Sequence, residues 1–279
     1  QINQCGITSL DVSKNIKLTN LNVANNALTT LDLSNNEQLV SISCGLNKIS
    51  SIDLSNQTNL TDLYISDTFI DNIDVSMCPA LNSLVISRTN ITKLDTSKNE
   101  ALAWIDISAN PNISFDLSNN KELCALYAIS CSLKSLDLSN NTKIENLQIS
   151  ANELKSIDVT GLPKLNTLIV NDNYLESLDL SKNVNLSSVQ CQRNKLKELV
   201  LGNNPALSSV DAYDNQIATI DFTGTIIGGA NLDAVIEDCV LICVGGSPES
   251  DHIPFQHPSN DSYIGDSIAL IVDAGAELK

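Results

Sequence analysis

The residues best suited to hold a metal lie near the C-terminus. Cys239, Cys243, His252 and His257 follow the spacing Cys-x3-Cys-x8-His-x4-His. A structural zinc needs four such ligands in a closed shell, but this spacing matches no established zinc pattern. General acid–base chemistry needs convergent partners, and the rest of the chain offers few. It has no other histidine, and Asp106 with Arg88 is the one nearby pair a solenoid-face enzyme would use. A third candidate is a row of carboxylates, Asp11, Asp32, Asp53, Asp74, Asp95, Asp116, Asp137, Asp158, Asp179 and Asp221, interrupted only by Val200. Calcium takes several oxygens per ion, and this row supplies one per repeat without a Gly-rich calcium loop. Hydrogen bonds from the accompanying Ser and Thr (Ser13, Ser34, Ser55 and their equivalents) are the expected means of offsetting the repulsion. No catalytic residue, metal or cofactor is expected.

The row is regular because the chain is. The stretch from Leu28 to Asn36 (LTTLDLSNN) recurs every 21 residues, with copies starting at 7, 28, 49, 70, 91, 112, 133, 154, 175 and 196, and a partial copy at 217. A fixed period of this length marks a stacked-repeat architecture. Each unit divides into L-x-x-L-D-L-S-x-N-x-x and L-x-x-L-x-V-x-x-N-x. Both halves contain an apolar-x-apolar triplet, a strand signal, and both end at an Asn suited to a turn. Two strands and two turns per coil give parallel sheets on both sides of a flattened coil. One coil cannot bury its own Leu residues, so neighbours must cover it. Asn112 and the preceding Pro111 interrupt the apolar column that contains Ile7, Leu28 and Ile49.

Composition sets further bounds. Aromatics make up 4% of the chain against 42% hydrophobic residues, so the core is aliphatic. The net charge of −17 repels phosphate backbones, which argues against nucleic acid as a partner. No run approaches 18 apolar residues, so no membrane-spanning helix is expected. No signal peptide is visible, and Gln1 and Ile2 align with mid-strand positions, so the numbering is expected to begin on a trimmed or processed product. Of eight cysteines, Cys44 and Cys191 fall in an inward apolar column, while Cys5, Cys78 and Cys131 fall in Asn columns. These read as free thiols, with Cys239 and Cys243 the better candidates for pairing or reactivity.

Two Asn columns run along the array. One contains Asn15, Asn36, Gln57, Asn99, Asn120, Asn141, Asn183 and Asn204. The other contains Asn26, Asn47, Asn110, Asn152, Asn173, Asn194 and Asn215. Buried turns need partners for their backbone, and stacked amides supply donors and acceptors.

The pattern resembles the leucine-rich repeat family, whose L-x-x-L-x-L-x-x-N-x-L signature is matched by Leu18-Leu21-Val23-Asn26-Leu28 and Leu165-Leu168-Val170-Asn173-Leu175. The nested 10+11 form is similar to a 21-residue subclass of bacterial surface and secreted proteins. The resemblance implies a right-handed solenoid, mainly β, with few or no helices in the array. It also implies Asn ladders and a non-catalytic scaffold, extracellular or on the cell surface. Residues 1–222 form the expected array and 223–279 a C-terminal cap and tail. Within the tail, 231–244 reads as helix or strand, and Ser267 to Val272 as a strand.

The first-half strand repeats Asp in almost every coil, whereas the second-half strand does not repeat. Its outward column reads Asn22, Ser43, Tyr64, Val85, Asp106, Tyr127, Gln148, Ile169, Gln190 and Asp211. Flanking outward columns include Ser83, Trp104 and Ala125 on one side and Ile129, Ser150 and Gln192 on the other. Uniform positions serve the scaffold, and variable ones are free to encode a surface. The candidate ligand-binding residues are Tyr64, Val85, Trp104, Asp106, Tyr127, Ile129, Gln148 and Ile169, on a monomer that takes a protein or glycan. A passive spacer within a larger surface protein is the alternative.

Overall fold

The second-half triplets from Asn20 to Asp211 form three-residue strands, and within each compact unit successive triplets pair in parallel one repeat apart. The computed structural model describes residues 1–221 and three later strands, 233–235, 240–243 and 270–272. The chain forms two compact units, residues 1–132 with 139–141, and residues 133–138 with 142 onward.

In the first unit, β1 (Asn20–Asn22), β2 (Ser41–Ser43), β3 (Asp62–Tyr64), β4 (Ser83–Val85), β5 (Trp104–Asp106) and β6 (Ala125–Tyr127) pair in sequence order. The register is the 21-residue step: Leu21 faces Ile42, Ile42 faces Leu63, and Leu84 faces Ile105. These central residues are buried, as are Val23, Cys44, Ile65, Ile86 and Ile107 two positions on. Alternation puts them inward and the residues between them outward. Fully burying one such side chain contributes roughly 1.5–3 kcal/mol, and each does so only because the adjoining coils cover it.

The second unit contains β7 (Asn146–Gln148), β8 (Thr167–Ile169), β9 (Ser177–Asp179), β10 (Ser188–Gln190), β11 (Glu198–Val200), β12 (Ser209–Asp211) and β13 (Thr219–Asp221). It continues with β14 (Asp233–Val235), β15 (Val240–Cys243) and β16 (Leu270–Val272). One sheet runs β7-β8-β10-β12-β14. On the opposite side of the coil β9 pairs with β11, and β13 pairs with β15, which pairs with β16. The region left open between helix and strand thus contains strands at 233–235 and 240–243, and the strand read at the end of the tail lies at 270–272. No helix occurs among the described residues.

The two sides of the coil are not equally regular. On the first-half side of the first unit, a single bridge, Lys93 with Ser114, carries ladder pairing. Elsewhere on that side one backbone bond per coil spans the stack, as from Lys48 N to Leu28 O and from Phe69 N to Ile49 O. The first half instead closes with two consecutive turns. Asn36 N donates to Leu33 O, and Leu39 N donates to Asn36 O, a pattern repeated at 57, 78, 99 and 120. Here the backbone makes the turn, so Cys78 or Leu162 can stand where Asn is usual.

The second-half turn is different. Gln4, Asn25, Leu46, Asp67, Arg88, Ala109 and Ser130 in the first unit, and Ala151, Asp172, Arg193 and Asp214 in the second, all have positive φ. These are the residues just before the second Asn column. Left-handed backbone is uncommon outside Gly and persists where its surroundings over-determine it. Within each unit the N–H of these turn residues bonds the next coil, as Leu46 N does to Ser66 O and Asp172 N to Gln192 O, in nine of the eleven. The expected break at position 112 is a one-residue shift. Asn112 is exposed at φ 64°, and Ile113 takes the buried place.

Away from the ends of the array both Asn columns are buried ladders, but they differ in satisfaction. Asn47 Nδ2 donates to Val23 O and Cys44 O, while its Oδ1 accepts from Leu28 N at 3.0 Å. Asn173 and Asn194 repeat this in the second unit. In the other column the donors are used, as from Asn99 Nδ2 to Val75 O and Cys78 O. The carbonyl oxygens of Asn36, Asn99, Asn141, Asn183 and Asn204 are buried without a partner. Cys44 and Cys191 are buried free thiols, as their column requires, and Cys5 is exposed.

The carboxylate row is exposed and held locally. The Oδ1 atoms of Asp11, Asp32, Asp53, Asp74, Asp95 and Asp116 each accept the backbone N–H two residues on, at 2.8–2.9 Å. Asp158 and Asp179 do the same in the second unit. These bonds to Ser or Thr hold the carboxyls of Asp11, Asp32, Asp53, Asp74, Asp95, Asp158 and Asp179 below the usual aspartate value. The row is therefore a series of Asx turns.

Candidate binding face

The outward residues of β3–β6 gather the larger candidate side chains. Tyr64 faces Val85, Val85 faces Asp106, and Asp106 faces Tyr127 across successive strands. Trp104 precedes Asp106 by two residues and shares its face. Its indole stacks on the Tyr127 ring with centroids 4.9 Å apart and planes 29° apart. Trp104 is 43% exposed and Tyr64 is 36% exposed, whereas Val85, Asp106, Tyr127 and Ile129 are half-buried. Trp104 stands in register between Ser83 and Ala125, both buried. Those two belong to an expected outward column, but small side chains beside a Trp lose their exposure.

The polar groups of the face are partly fixed. Asp106 Oδ1 accepts from Ser108 N at 2.9 Å. The Asp62 carboxylate accepts from Thr61 Oγ1 at 2.6 Å and more weakly from the Tyr64 hydroxyl at 3.4 Å. Partial burial, and then the Asp106 charge, push the Tyr127 phenol up from its ordinary value. The third outward column lies close to the turns and is bonded along its length: Ser66 to Ser87, and Ile129 N to Ser108 Oγ.

Gln148 and Ile169 belong to the second unit, both half-buried on β7 and β8. Gln148 donates to Asn146 Oδ1. Ser150 and Gln192, expected to face outward here, are buried, with Ser150 bonded to Asn171.

The pair Asp106 and Arg88 does not form. Arg88 is held by Asp67 through Nε and Nη2, at 2.6 and 2.7 Å. The reason is register. Asp67 and Arg88 are 21 residues apart in the left-handed turn column, hence direct neighbours. The same relation joins Asp172 to Arg193 in the second unit, where Arg193 also bonds the Tyr213 hydroxyl and lies 5.7 Å from its ring centre. The second cluster was readable in the sequence as opposite charges one repeat apart. Among the described residues, no three His, Cys, Asp or Glu gather as for a metal. Cys239, His252 and His257, and the side chain of Cys243, lie outside the described residues. No described helix is long and apolar enough to cross a membrane.

A parallel solenoid with a buried Leu/Ile/Val lattice and Asn ladders can be compared with known folds. Internalin J of Listeria monocytogenes, whose functional domain includes a cysteine ladder, superposes with a TM-score of 0.63 at 23% identity, covering 86% of this chain and 73% of that one. The fold is that of leucine-rich repeat solenoids. The leucine-rich repeat domain of APL1B gives a TM-score of 0.73 at 18% identity, covering 98% and 93% of the two chains. The leucine-rich effector YopM of Yersinia pestis gives 0.68 at 19%, covering 86% and 72%. No protein-family model and no curated protein sequence matches the chain.

Proposed function

We propose that this chain is a non-catalytic binding scaffold of the 21-residue leucine-rich repeat type, secreted by or displayed on a bacterial cell. It recognises a protein through the outward residues of the second-half strands. Residues 1–222 are the array and the remainder its cap and tail. Tyr64, Val85, Trp104, Asp106, Tyr127 and Ile129 form the recognition surface of the first unit, and Gln148 and Ile169 are the corresponding candidates on the second. One observation carries the reading: the half-coil that varies from repeat to repeat presents an exposed Trp104 stacked on a half-buried Tyr127. The half-coil that repeats presents a uniform seam of Asx turns. Aromatic anchors dominate the energetics of protein interfaces. The solenoid fold shared with internalin J and YopM is compatible with this role.

The test is capture of extracellular proteins and of glycan arrays by the native chain and by Trp104→Ala/Tyr127→Ala. A protein ligand lost in the double variant, with an unchanged melting temperature, supports the reading. A ligand retained in full by the variant refutes it. Glycan capture alone would move the ligand class to carbohydrate, and no capture at all would favour a spacer.

A further inference from the structure

The strand face of the first unit carries charge of one sign. None of the residues of β1–β6 is Lys or Arg, and the two charged ones are Asp62 and Asp106. The flanking positions along the same strands (Thr19, Val40, Thr61, Asn82, Ala103 and Cys124) carry no charge either. Arg88 is a cation at the rim beside this region, and its bidentate bond to Asp67 neutralises it locally.

Asp106 occupies the corner of the aromatic pair. It is two residues from Trp104 on the same strand and faces Tyr127 on the next. Neighbouring strands lie about 4.8 Å apart, so side chains directly opposite on them leave the sheet at about that spacing. The stack of Tyr127 on Trp104 therefore borders the carboxylate, while Trp104 remains exposed. A π face edged by a carboxylate is the environment that binds a guanidinium or ammonium group, through cation–π attraction and a charge-assisted hydrogen bond. The long-range field has the same sign, since the chain as a whole carries −17. Such a field accelerates encounter with a basic surface.

We propose that Trp104, Tyr127 and Asp106 form a seat for an Arg or Lys side chain, and that the protein partner presents a basic segment to this face. The inference rests on the reading that this face binds a protein, and narrows it to a cationic one.

Trp104 is the only tryptophan, so its fluorescence reports on the site directly. The probes are three synthetic twelve-residue peptides of identical sequence, carrying arginine, citrulline or glutamate at alternate positions. The arginine peptide shifts Trp104 emission saturably, and the citrulline and glutamate peptides do not. Asp106→Asn keeps the oxygen that accepts from Ser108, and weakens the arginine peptide by about tenfold. Tyr127→Leu, which keeps bulk but removes the π face, weakens it too. Asp53→Asn, on the uniform seam, leaves it unchanged. The proposal is overturned if the citrulline peptide binds as well as the arginine one, if the arginine peptide gives no saturable change, or if Asp53→Asn weakens binding as much as Asp106→Asn. The broader reading is judged separately. A captured protein lost on Trp104→Ala/Tyr127→Ala but indifferent to Asp106→Asn and to 0.5 M salt (about a twofold shorter screening length than physiological) leaves the binding face standing and removes the cation seat.

Discussion

The Thr96 hydroxyl donates to Asn120 Oδ1 across 2.8 Å in the interior of the first unit. Thr96 occupies a column otherwise filled by Leu33, Leu54, Val75, Leu117 and Leu138, all buried. A hydroxyl there would be costly alone. It is tolerated because the neighbouring amide column has carbonyl oxygens to spare, as the unpartnered ones of Asn36, Asn99 and Asn141 show.

Thr96→Val therefore returns Asn120 to the condition of its column mates, and should cost about 1 kcal/mol or less. Asn120→Leu removes the donors to Thr96 O and Asn99 O as well as the hydroxyl's acceptor. It should cost about 2–4 kcal/mol. Urea unfolding of both variants and their double is the measurement. A coupling energy indistinguishable from zero would show that the two side chains do not share the bond.

Acid should weaken the uniform seam before it touches the core. The carboxyls of Asp32, Asp53 and Asp95 lie below their usual value of 3.8 because they accept hydrogen bonds from the following Ser. A depressed carboxyl contributes stability that is present above its unfolded value and is lost as pH falls through its folded value. Melting temperature should hold above about pH 4 and fall below it. The Asp53→Asn/Asp74→Asn/Asp95→Asn triple variant should show a shallower acid limb. An unchanged limb would place the acid sensitivity elsewhere.

Gly202 should resist replacement for two reasons. Its φ is +67°, and a Cβ would approach Ser181 Cα to 2.6 Å. Gly202→Ala is expected to destabilise the second unit by about 1–3 kcal/mol, combining backbone strain with a backbone clash. Gly161 has open space where its Cβ would go and no positive φ. Gly161→Ala should stay within about 0.5 kcal/mol of the parent. Equal midpoints for the two variants in thermal unfolding would contradict the geometry.

The thiols should sort by depth. Burial pushes Cys44 and Cys191 up to about 12, while Cys5 is exposed. Thiolate is the reactive form, so iodoacetamide should modify Cys5 in the native protein and Cys44 and Cys191 only on unfolding, read by peptide mass spectrometry. The raised values also have a pH consequence. A thiol that stays protonated in the fold favours folding below its unfolded value near 9, and this is lost as pH rises toward 12. Native-state modification of Cys44 at the rate of Cys5 would mean its column is open.

Most of the scaffold was legible in the sequence because a repeat makes each position its own control. Leu21, Ile42 and Leu63 align by a 21-residue step and also pair by it. Cys44 could be placed inward by its neighbours in the column alone. What escaped notice depends on volume and on angles that a column of letters does not carry. Ser83 and Ala125 look outward in the alternation but are buried beside Trp104. The left-handed turn falls on Leu46, Arg88 and Ala109, residues without torsional preference for it, because the adjoining coil imposes it. Asp106 and Arg88 looked like partners along the chain, whereas the repeat step made Asp67 the partner. The difference between the two Asn columns needed bond directions, which identical letters conceal.

The direction of those bonds has a mechanical meaning. Val23 N donates forward to Ser43 O, Asn25 N to Gly45 O, and Leu28 N to the Asn47 amide. Other bonds run backward, as Asn47 Nδ2 to Val23 O and Lys48 N to Leu28 O. Within a unit, each coil's turn is thus completed by the coils on both sides of it, and removing a coil opens donors on its predecessor and acceptors and donors on its successor. Under traction such a stack unravels as a zip parts, one tooth at a time from whichever end bears the load. Each tooth exposes the next and adds on the order of 70 Å of slack.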